Sequence, residues 1–241
     1  MNLWDRRIYF LNLFAEHLLL SLGSLLIVIV LGMLLGVLVF YSTKGRKIIL
    51  PLINFLYTIP SIAMFGLLIP LVGIGLNNAL IVLVLYGLLP MVRSTYSGFK
   101  EVPPQLVEAA QGLGSTPFQV FKNIYFPLAL PSILSGLRIT VVMIVALTGL
   151  AALIGAGGLG QAIFRGLNTM NTELIVTGSL GISLFAILGD QWIGAFEKDN
   201  SFQRLISKNA TKKQKNRILF PTIFVLICSV VNGQIGGRYT Y

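Results

Sequence analysis

Long apolar runs separated by short basic stretches set the pattern of this chain. Residues 18–41, 48–72 and 76–92 contain no charged side chain, residues 128–154 contain only Arg138, and residues 174–196 only Asp190. A helix needs roughly 20 apolar residues to cross the hydrocarbon, so these runs predict five spans, the third of them short. A sixth run, 218–231, is shorter still and holds Pro221. It either crosses, with flanking lysines extending it by snorkelling, or lies in the interface. The N-terminal stretch has another pattern. Trp4, Tyr9, Phe10 and Phe14 alternate with Asp5, Arg6, Arg7 and Glu16, which predicts an amphipathic helix lying in the interface before the first span. His17, the single histidine, falls where that helix turns into the membrane, as an interfacial polar residue.

Composition agrees with the pattern. The chain is 55% hydrophobic and 11% charged, with a mean hydropathy of +0.84, whereas soluble domains carry about 25% charged residues. The fold class is all-α, a polytopic membrane protein. Eighteen Lys and Arg against 8 Asp and Glu give a net charge of +10. In a membrane chain this excess sets orientation and does not imply nucleic acid. Thirteen of the 18 fall on one side: Lys44, Arg46 and Lys47; Arg93, Lys100 and Lys122; and seven between residues 197 and 217. Arg6, Arg7, Arg165 and Arg238 fall on the other. The basic side is therefore cytoplasmic and the N-terminus outside, in a cell (inner, cytoplasmic) membrane. Cys228 is the single cysteine, so no intrachain disulfide forms, and no cleavable signal is evident.

Proline and glycine interrupt the spans at Pro51, Pro60, Pro70, Pro90, Pro131, Gly73 and Gly75. Ordinary kinking accounts for most of these, because neighbouring helices satisfy the freed carbonyls. The stretch YTIPSIAMFG is denser than kinking requires, which makes Tyr57, Pro60, Ser61 and Met64 candidates for lining a substrate path. Gly155, Gly157 and Gly160 have the spacing of a dinucleotide fingerprint. That fingerprint works only between a buried strand and a helix, and here a membrane span precedes it. Gly155, Gly157 and Gly158 read instead as a tight external turn with close helix approach.

The longest loop on the basic side, residues 99–127, carries its own helices. Pro103 and Pro104 suit a helix start, Gly112 and Gly114 its end, and Ser115 or Thr116 the cap of a second helix beginning at Pro117. Phe118, Phe121 and Tyr125 fall on one stripe of that second helix, and Pro127 closes it before the chain re-enters the membrane. A structured loop of this length between spans is usually functional, and a small-faced exposed helix suits a partner's groove.

These residues resemble a known family. Glu108-Ala109-Ala110, three residues, Gly114, nine residues, Ile124, one residue and Phe126-Pro127 look like the EAA loop of permease subunits of ATP-binding-cassette importers. Phe126 stands where that pattern has Leu. The resemblance runs from about residue 18 to 196 and is of the methionine-importer-like, five-helix, type I kind. The stretches 57–75 and 127–163 look most like permeases for glycine betaine, carnitine and choline. It implies an import permease that works by alternating access as a dimer with a second permease copy, most simply a homodimer. It also implies a cytoplasmic ATPase dimer that binds ATP and Mg, and an external substrate-binding protein or fused binding domain. Glu108, Ala109, Ala110, Gly114, Ile124 and Pro127 are then the coupling residues, with Glu108 capping or bonding groups of the loop, and the turn at Gly155–Gly158 lies near the external gate. The solutes implied are quaternary ammonium or betaine-type, ergothioneine included; amino acids such as methionine are the alternative.

Other readings are narrower. No phosphate-binding loop, no metal-ligand cluster and no nucleophile–histidine set occurs, so enzyme chemistry and a cofactor in this chain are not expected. An ion-coupled secondary transporter is the alternative class, but the inverted repeats and paired acids it needs are not evident. Arg138, inside a span, either snorkels or pairs with another helix, while Asp190 and Arg93 lie near span ends. Glu173 suits a helix N-terminus. The expected organisation is an interfacial segment at 1–17, a permease domain at 18–196, a basic cytoplasmic linker at 197–217, and a C-terminal anchor with an external tail at 218–241.

Overall fold

The fold was obtained as a computed structural model and is described for residues 3–199. Nine α-helices follow one another: α1 Leu3–Tyr41, α2 Thr43–Thr58, α3 Ser61–Val72, α4 Leu76–Lys100, α5 Pro104–Gly112, α6 Pro117–Val120, α7 Phe126–Ala151, α8 Gly160–Asn168 and α9 Thr172–Asp199. A π-helical turn, Phe121–Tyr125, joins α6 to α7, and a 3-10 turn, Ala152–Ile154, ends α7. Four helical stretches are long and apolar enough to cross a membrane, and the bent pair α2–α3 makes a fifth. The anchor expected at 218–241 and most of the linker expected at 197–217 lie outside the described residues.

Three expectations are corrected. The interfacial helix with a turn at His17 is absent, because α1 is one helix of 39 residues running straight through that position. His17 is not an interfacial residue either: it is fully buried, and its Nε2 donates to the Val145 carbonyl at 3.1 Å. The third span is not short, since α4 continues past Arg93 to Lys100. In both cases a polar residue inside the apolar pattern was taken for the end of a helix, while a neighbouring helix supplies its partner.

Helix α4 lies at the centre, packed on α1, α2, α3 and α7. Lipid tails are as apolar as leucine, so close packing rather than water exclusion holds such helices together. Gly32 and Gly36, four residues apart on α1, meet Met91 and Thr95, four residues apart on α4. A Cβ at Gly32 comes within 2.6 Å of Met91 Cγ, and one at Gly36 within 2.5 Å of Thr95 Cβ. Their bare backbones let the two helices touch.

One end of the bundle is aromatic and basic. Phe40 at the end of α1 meets Phe99 at 5.5 Å and Tyr125 at 5.2 Å, and Phe121 meets Phe99 at 5.6 Å. Arg46 Nη1 on α2 donates to the Tyr96 hydroxyl at 3.0 Å. The ends of α1 and α4 and the starts of α2 and α7 are thereby gathered with their basic residues. The other end holds the α3–α4 turn and the glycine turn, where the Gly75 N–H donates to the Ile154 carbonyl at 2.8 Å. Buried Asn78 closes that turn, donating through Nδ2 to the carbonyls of Phe65 and Gly73. Few residues of α9 are fully buried within the chain, and it packs on α7 through Ile182, Phe185, Ala186 and Ile193.

Candidate functional site

The loop at the basic end builds itself from local chemistry. Pro104 opens α5, where its missing N–H costs nothing, and no residue of α5 is buried. Gly114 takes φ +85°, and its N–H donates to the Gln111 carbonyl while the Ser115 N–H donates to Ala110, a left-handed helix stop. Thr116 then caps α6, its Oγ1 accepting from the Gln119 N–H at 3.3 Å while the Thr116 N–H donates to Gln119 Oε1 at 2.8 Å. Glu108 and Ala109 are exposed, Ala110 is half-buried, and Glu108 does not hydrogen-bond or cap the loop as expected; it points to solvent. Leu113 and Phe118 are also exposed, at 88% and 72%.

Two details of this loop depart from the sequence reading. Phe118 leaves the expected stripe: Phe121 and Tyr125 turn inward to Phe99, while Phe118 faces out. Pro127 does not close a helix. From Pro117 to Ile154 the chain is one continuous helical stretch of 38 residues. The Phe126 N–H bonds the Phe121 carbonyl, and this wide turn just ahead of Pro127 absorbs the missing donor. Ile124 is half-buried and Pro127 exposed on that stretch.

The second region is the elbow between α2 and α3, bent by 102° at Ile59–Pro60. Pro60 removes a helical N–H, and the Tyr86 hydroxyl on α4 donates to the Ile59 carbonyl left at the break. Tyr57 is 42% exposed, packs on Tyr86 at 5.6 Å between ring centroids, and turns its hydroxyl to Met143 Sδ on α7 at 3.6 Å. Pro60 is exposed and Ser61 half-buried. Met64 is different: at 2% exposure it belongs to a packed cluster with Leu20, Val82, Leu83 and Tyr86, so within this chain it is core.

The third region is the glycine turn at the opposite end. Gly155, Gly157 and Gly158 take φ of +75°, +88° and +81°. Glu16 Oε2 on α1 accepts from the Gly158 N–H at 2.9 Å, and a Cβ at Gly158 comes within 3.1 Å of His17 Nδ1. The turn is as tight as the sequence reading has it, and the close approach is to α1. α7 and a 3-10 turn lead into it, so no strand feeds a dinucleotide site.

Arg138 pairs. Its Nε and Nη2 donate to Asp190 Oδ1 and Oδ2 at 2.8 and 2.9 Å, and Nη1 donates to Glu197 Oε2 at 2.9 Å. Gly194 lies between the two carboxylates on α9, and a Cβ there comes within 3.2 Å of the guanidinium carbon. Sequence reasoning missed Glu197 and Glu16. The signal for Glu197 was available: two carboxylates seven residues apart lie on one helix face, and a guanidinium in a span needs counter-charges. Arg93 donates to Asn54 Oδ1 at 2.7 Å, tying α2 to α4. At the start of α9, Asn171 Oδ1 accepts from the N–H groups of Glu173 and Leu174, with Glu173 in the first turn as the dipole favours.

Residues 28–201 match the family described as binding-protein-dependent transport system inner membrane component. The chain belongs to that family. It is a multi-pass membrane protein with the fold of a type I importer permease. It is 35% identical over 184 residues to the glycine betaine/carnitine/choline transport system permease protein OpuCB of Bacillus subtilis, covering 76% of this chain and 85% of that one. It is 56% identical over 208 residues to a Helicobacter pylori protein named ergothioneine transport permease/ergothioneine binding protein EgtU, covering 85% of this chain. This chain spans only 38% of that relative's length. Its fold matches a chain of the MetNI methionine ABC transporter in an inward-facing conformation, with a TM-score of 0.68 at 25% identity over 81% of this chain and 99% of the other. Family membership decides between the transporter classes, against an ion-coupled secondary transporter.

Proposed function

We propose that this chain is the permease subunit of an ATP-driven importer for small quaternary ammonium or betaine-type solutes. The observation that carries the proposal is the exposed α5–α6 loop with its EAA spacing in a chain of this family. An apolar and small-residue surface of this kind, unburied within the chain, with α5 stopped at Gly114 and α6 capped by Thr116, is ready-made for a partner's groove. In this reading a cytoplasmic ATPase dimer, which binds ATP and Mg, seats on Glu108, Ala109, Ala110 and Gly114. Ile124 and Pro127 begin the rod that carries its movement.

The rod is the continuous stretch Pro117–Ile154, about 55 Å long at ~1.5 Å per residue. It starts at the loop and ends at the Gly155–Gly158 turn, so displacement of one end reaches the other without a flexible joint. The turn then serves as the external gate, held by Glu16 and His17. The α2–α3 elbow lines the path, which lies between two copies of the chain in a homodimer. Broken helices with irregular backbone are the usual place for such paths, since freed carbonyls must face protein or water.

The names of the relatives support glycine betaine, carnitine, choline and ergothioneine as the solutes to test. The fused relative from Helicobacter pylori supports an external binding domain following the permease core, and the excess of Lys and Arg at the aromatic end supports an external N-terminus. The test is uptake in proteoliposomes containing this chain, the ATPase and the matching binding protein. ATP-dependent uptake of a quaternary ammonium solute is expected, together with co-purification of the ATPase. Uptake driven by an ion gradient without ATP overturns the proposal, and uptake of methionine alone moves it to the amino-acid alternative.

A further inference from the structure

We infer that Tyr57 is the permease's own contact for the quaternary ammonium group during passage, with Tyr86 and Met143 holding its ring in place. The inference rests on the import reading above and adds a site within the membrane chain.

The chemistry of the solute sets the requirement. A quaternary ammonium carries a permanent charge but no N–H, so hydrogen-bond acceptors cannot grip it in the usual way. A buried carboxylate attracts it strongly and releases it slowly. An aromatic face attracts it by its quadrupole and lets it go, which suits a group that must pass rather than stay.

The elbow meets that requirement. Residues 48–92, which contain α3 and most of α2 and α4, hold no ionisable Asp, Glu, Lys, Arg or His. The single cation of α7, Arg138, is committed to Asp190 and Glu197. A passing cation therefore meets no trapping carboxylate from these segments, and the Arg93 guanidinium, just beyond them on α4, is held by Asn54 one turn before Tyr57 on α2. The cation meets the Tyr57 ring, which is 42% exposed directly before the break in the span.

The ring is also prearranged. Behind it stands Tyr86, 7% exposed and tilted by 47° at 5.6 Å, whose hydroxyl is used up on the Ile59 carbonyl. The Tyr57 hydroxyl is turned to Met143 Sδ on α7. An exposed tyrosine that anchors a membrane protein in the interface sends its hydroxyl to headgroups. Here the hydroxyl is engaged by a thioether on the neighbouring helix, and the ring face is what remains available. Tyr57 is thus the contact, and Tyr86 and Met143 are positioning residues.

The experiment uses the complete importer in proteoliposomes, with uptake of glycine betaine, choline and ergothioneine and ATP hydrolysis stimulated by the loaded binding protein measured in parallel. Tyr57→Phe and Tyr57→Trp keep a ring face and are expected to retain uptake within about threefold of wild type. Tyr57→Leu removes it and is expected to lose about tenfold or more in uptake while stimulated ATP hydrolysis stays within about twofold. Unchanged uptake in Tyr57→Leu overturns the site. So does an equal loss in Tyr57→Phe, which assigns the effect to the hydroxyl, and so does a parallel fall in ATP hydrolysis, which assigns it to assembly. If the wild type imports none of the three solutes, the import reading falls and the site falls with it; that result is distinct from a wild type that imports while Tyr57→Leu is unaffected.

Discussion

Arg138 on α7 grips Asp190 on α9 through two parallel hydrogen bonds, Nε to Oδ1 at 2.8 Å and Nη2 to Oδ2 at 2.9 Å. The fork geometry of the guanidinium makes this contact directional, and Glu197 takes the third nitrogen. α9 also packs on α7 through Ile182, Phe185, Ala186 and Ile193, so this cluster is a polar tie added to an apolar contact. Both side chains of the pair are 34% exposed, which screens the interaction below that of a fully buried pair. A double-mutant cycle with Arg138→Met and Asp190→Asn, read by thermal unfolding in detergent, is expected to give a coupling on the order of 1–2 kcal/mol. Additivity of the two substitutions contradicts the tie.

Gly114 and Gly112 lie two residues apart in the loop and are expected to behave oppositely. Gly114 has φ +85° and open space around it, so the penalty of Gly114→Val is backbone strain, about 1–3 kcal/mol. Gly112 is helical with nothing nearby, and Gly112→Ala is expected to be neutral or slightly stabilising. Pull-down of the ATPase and uptake should both fail for Gly114→Val and survive for Gly112→Ala, with equal amounts of each variant in the membrane. Full association with Gly114→Val refutes docking at this loop.

The α1–α4 contact predicts an order of severity. Both partners are buried, and Gly32 faces the root of Met91, its Cγ and Cβ; Met91 is unbranched and can change rotamer, whereas Thr95, facing Gly36, is β-branched and its Oγ1 is bound to the Met91 carbonyl at 2.8 Å. Gly36→Ala is therefore expected to destabilise more than Gly32→Ala, with both losses within about 1–3 kcal/mol. Thr95→Ala should recover part of the Gly36→Ala loss. Thermal unfolding of the purified chain reads all three, and equal effects at the two glycines count against the contact as described.

Glu16 is exposed, yet it holds the buried Gly158 N–H at the glycine turn. Glu16→Gln keeps an acceptor oxygen and is expected to change stability by less than about 1 kcal/mol, whereas Glu16→Ala leaves the donor unpaired at about 1–3 kcal/mol. Hydrogen exchange at the Gly158 amide gives the local readout: faster in Glu16→Ala, near wild type in Glu16→Gln. Identical exchange in both variants shows that the contact does not form.

A reporter joined after Tyr241 tests the end of the chain. If the N-terminus lies outside and residues 218–231 cross, as the sequence reading expects, an enzyme that works only beyond the cell membrane is active there. Activity of a cytoplasmic reporter at that position refutes the crossing and the fused binding domain with it.

Patterns of short range were legible in the sequence. The apolar runs place the spans because a bilayer demands length and internal hydrogen bonding from every crossing segment. The turns of the loop were legible for the same reason: Pro104, Gly114 and Thr116 act on their immediate neighbours, so their local chemistry is written in their spacing, while the partner Gln119 was not read. The three positive φ values at Gly155, Gly157 and Gly158 follow from the same locality.

What the tertiary structure decided depends on partners far along the chain. His17 looked interfacial because nothing near it is polar enough to hold it inside; Val145, on another helix, does so. Met64 looked like a path residue beside Pro60, but its surroundings come from α1 and α4 and make it core. Phe118 shares a helical stripe with Phe121 by spacing, and the aromatic cluster at Phe99 takes only the latter. Arg138 carried its need for counter-charge in the sequence, but the choice of Asp190 and Glu197 required α7 and α9 to lie side by side. Periodicity reports which residues share a face of one helix; which helix meets that face is settled only when the small residues of α1, α4 and α7 let the bundle close.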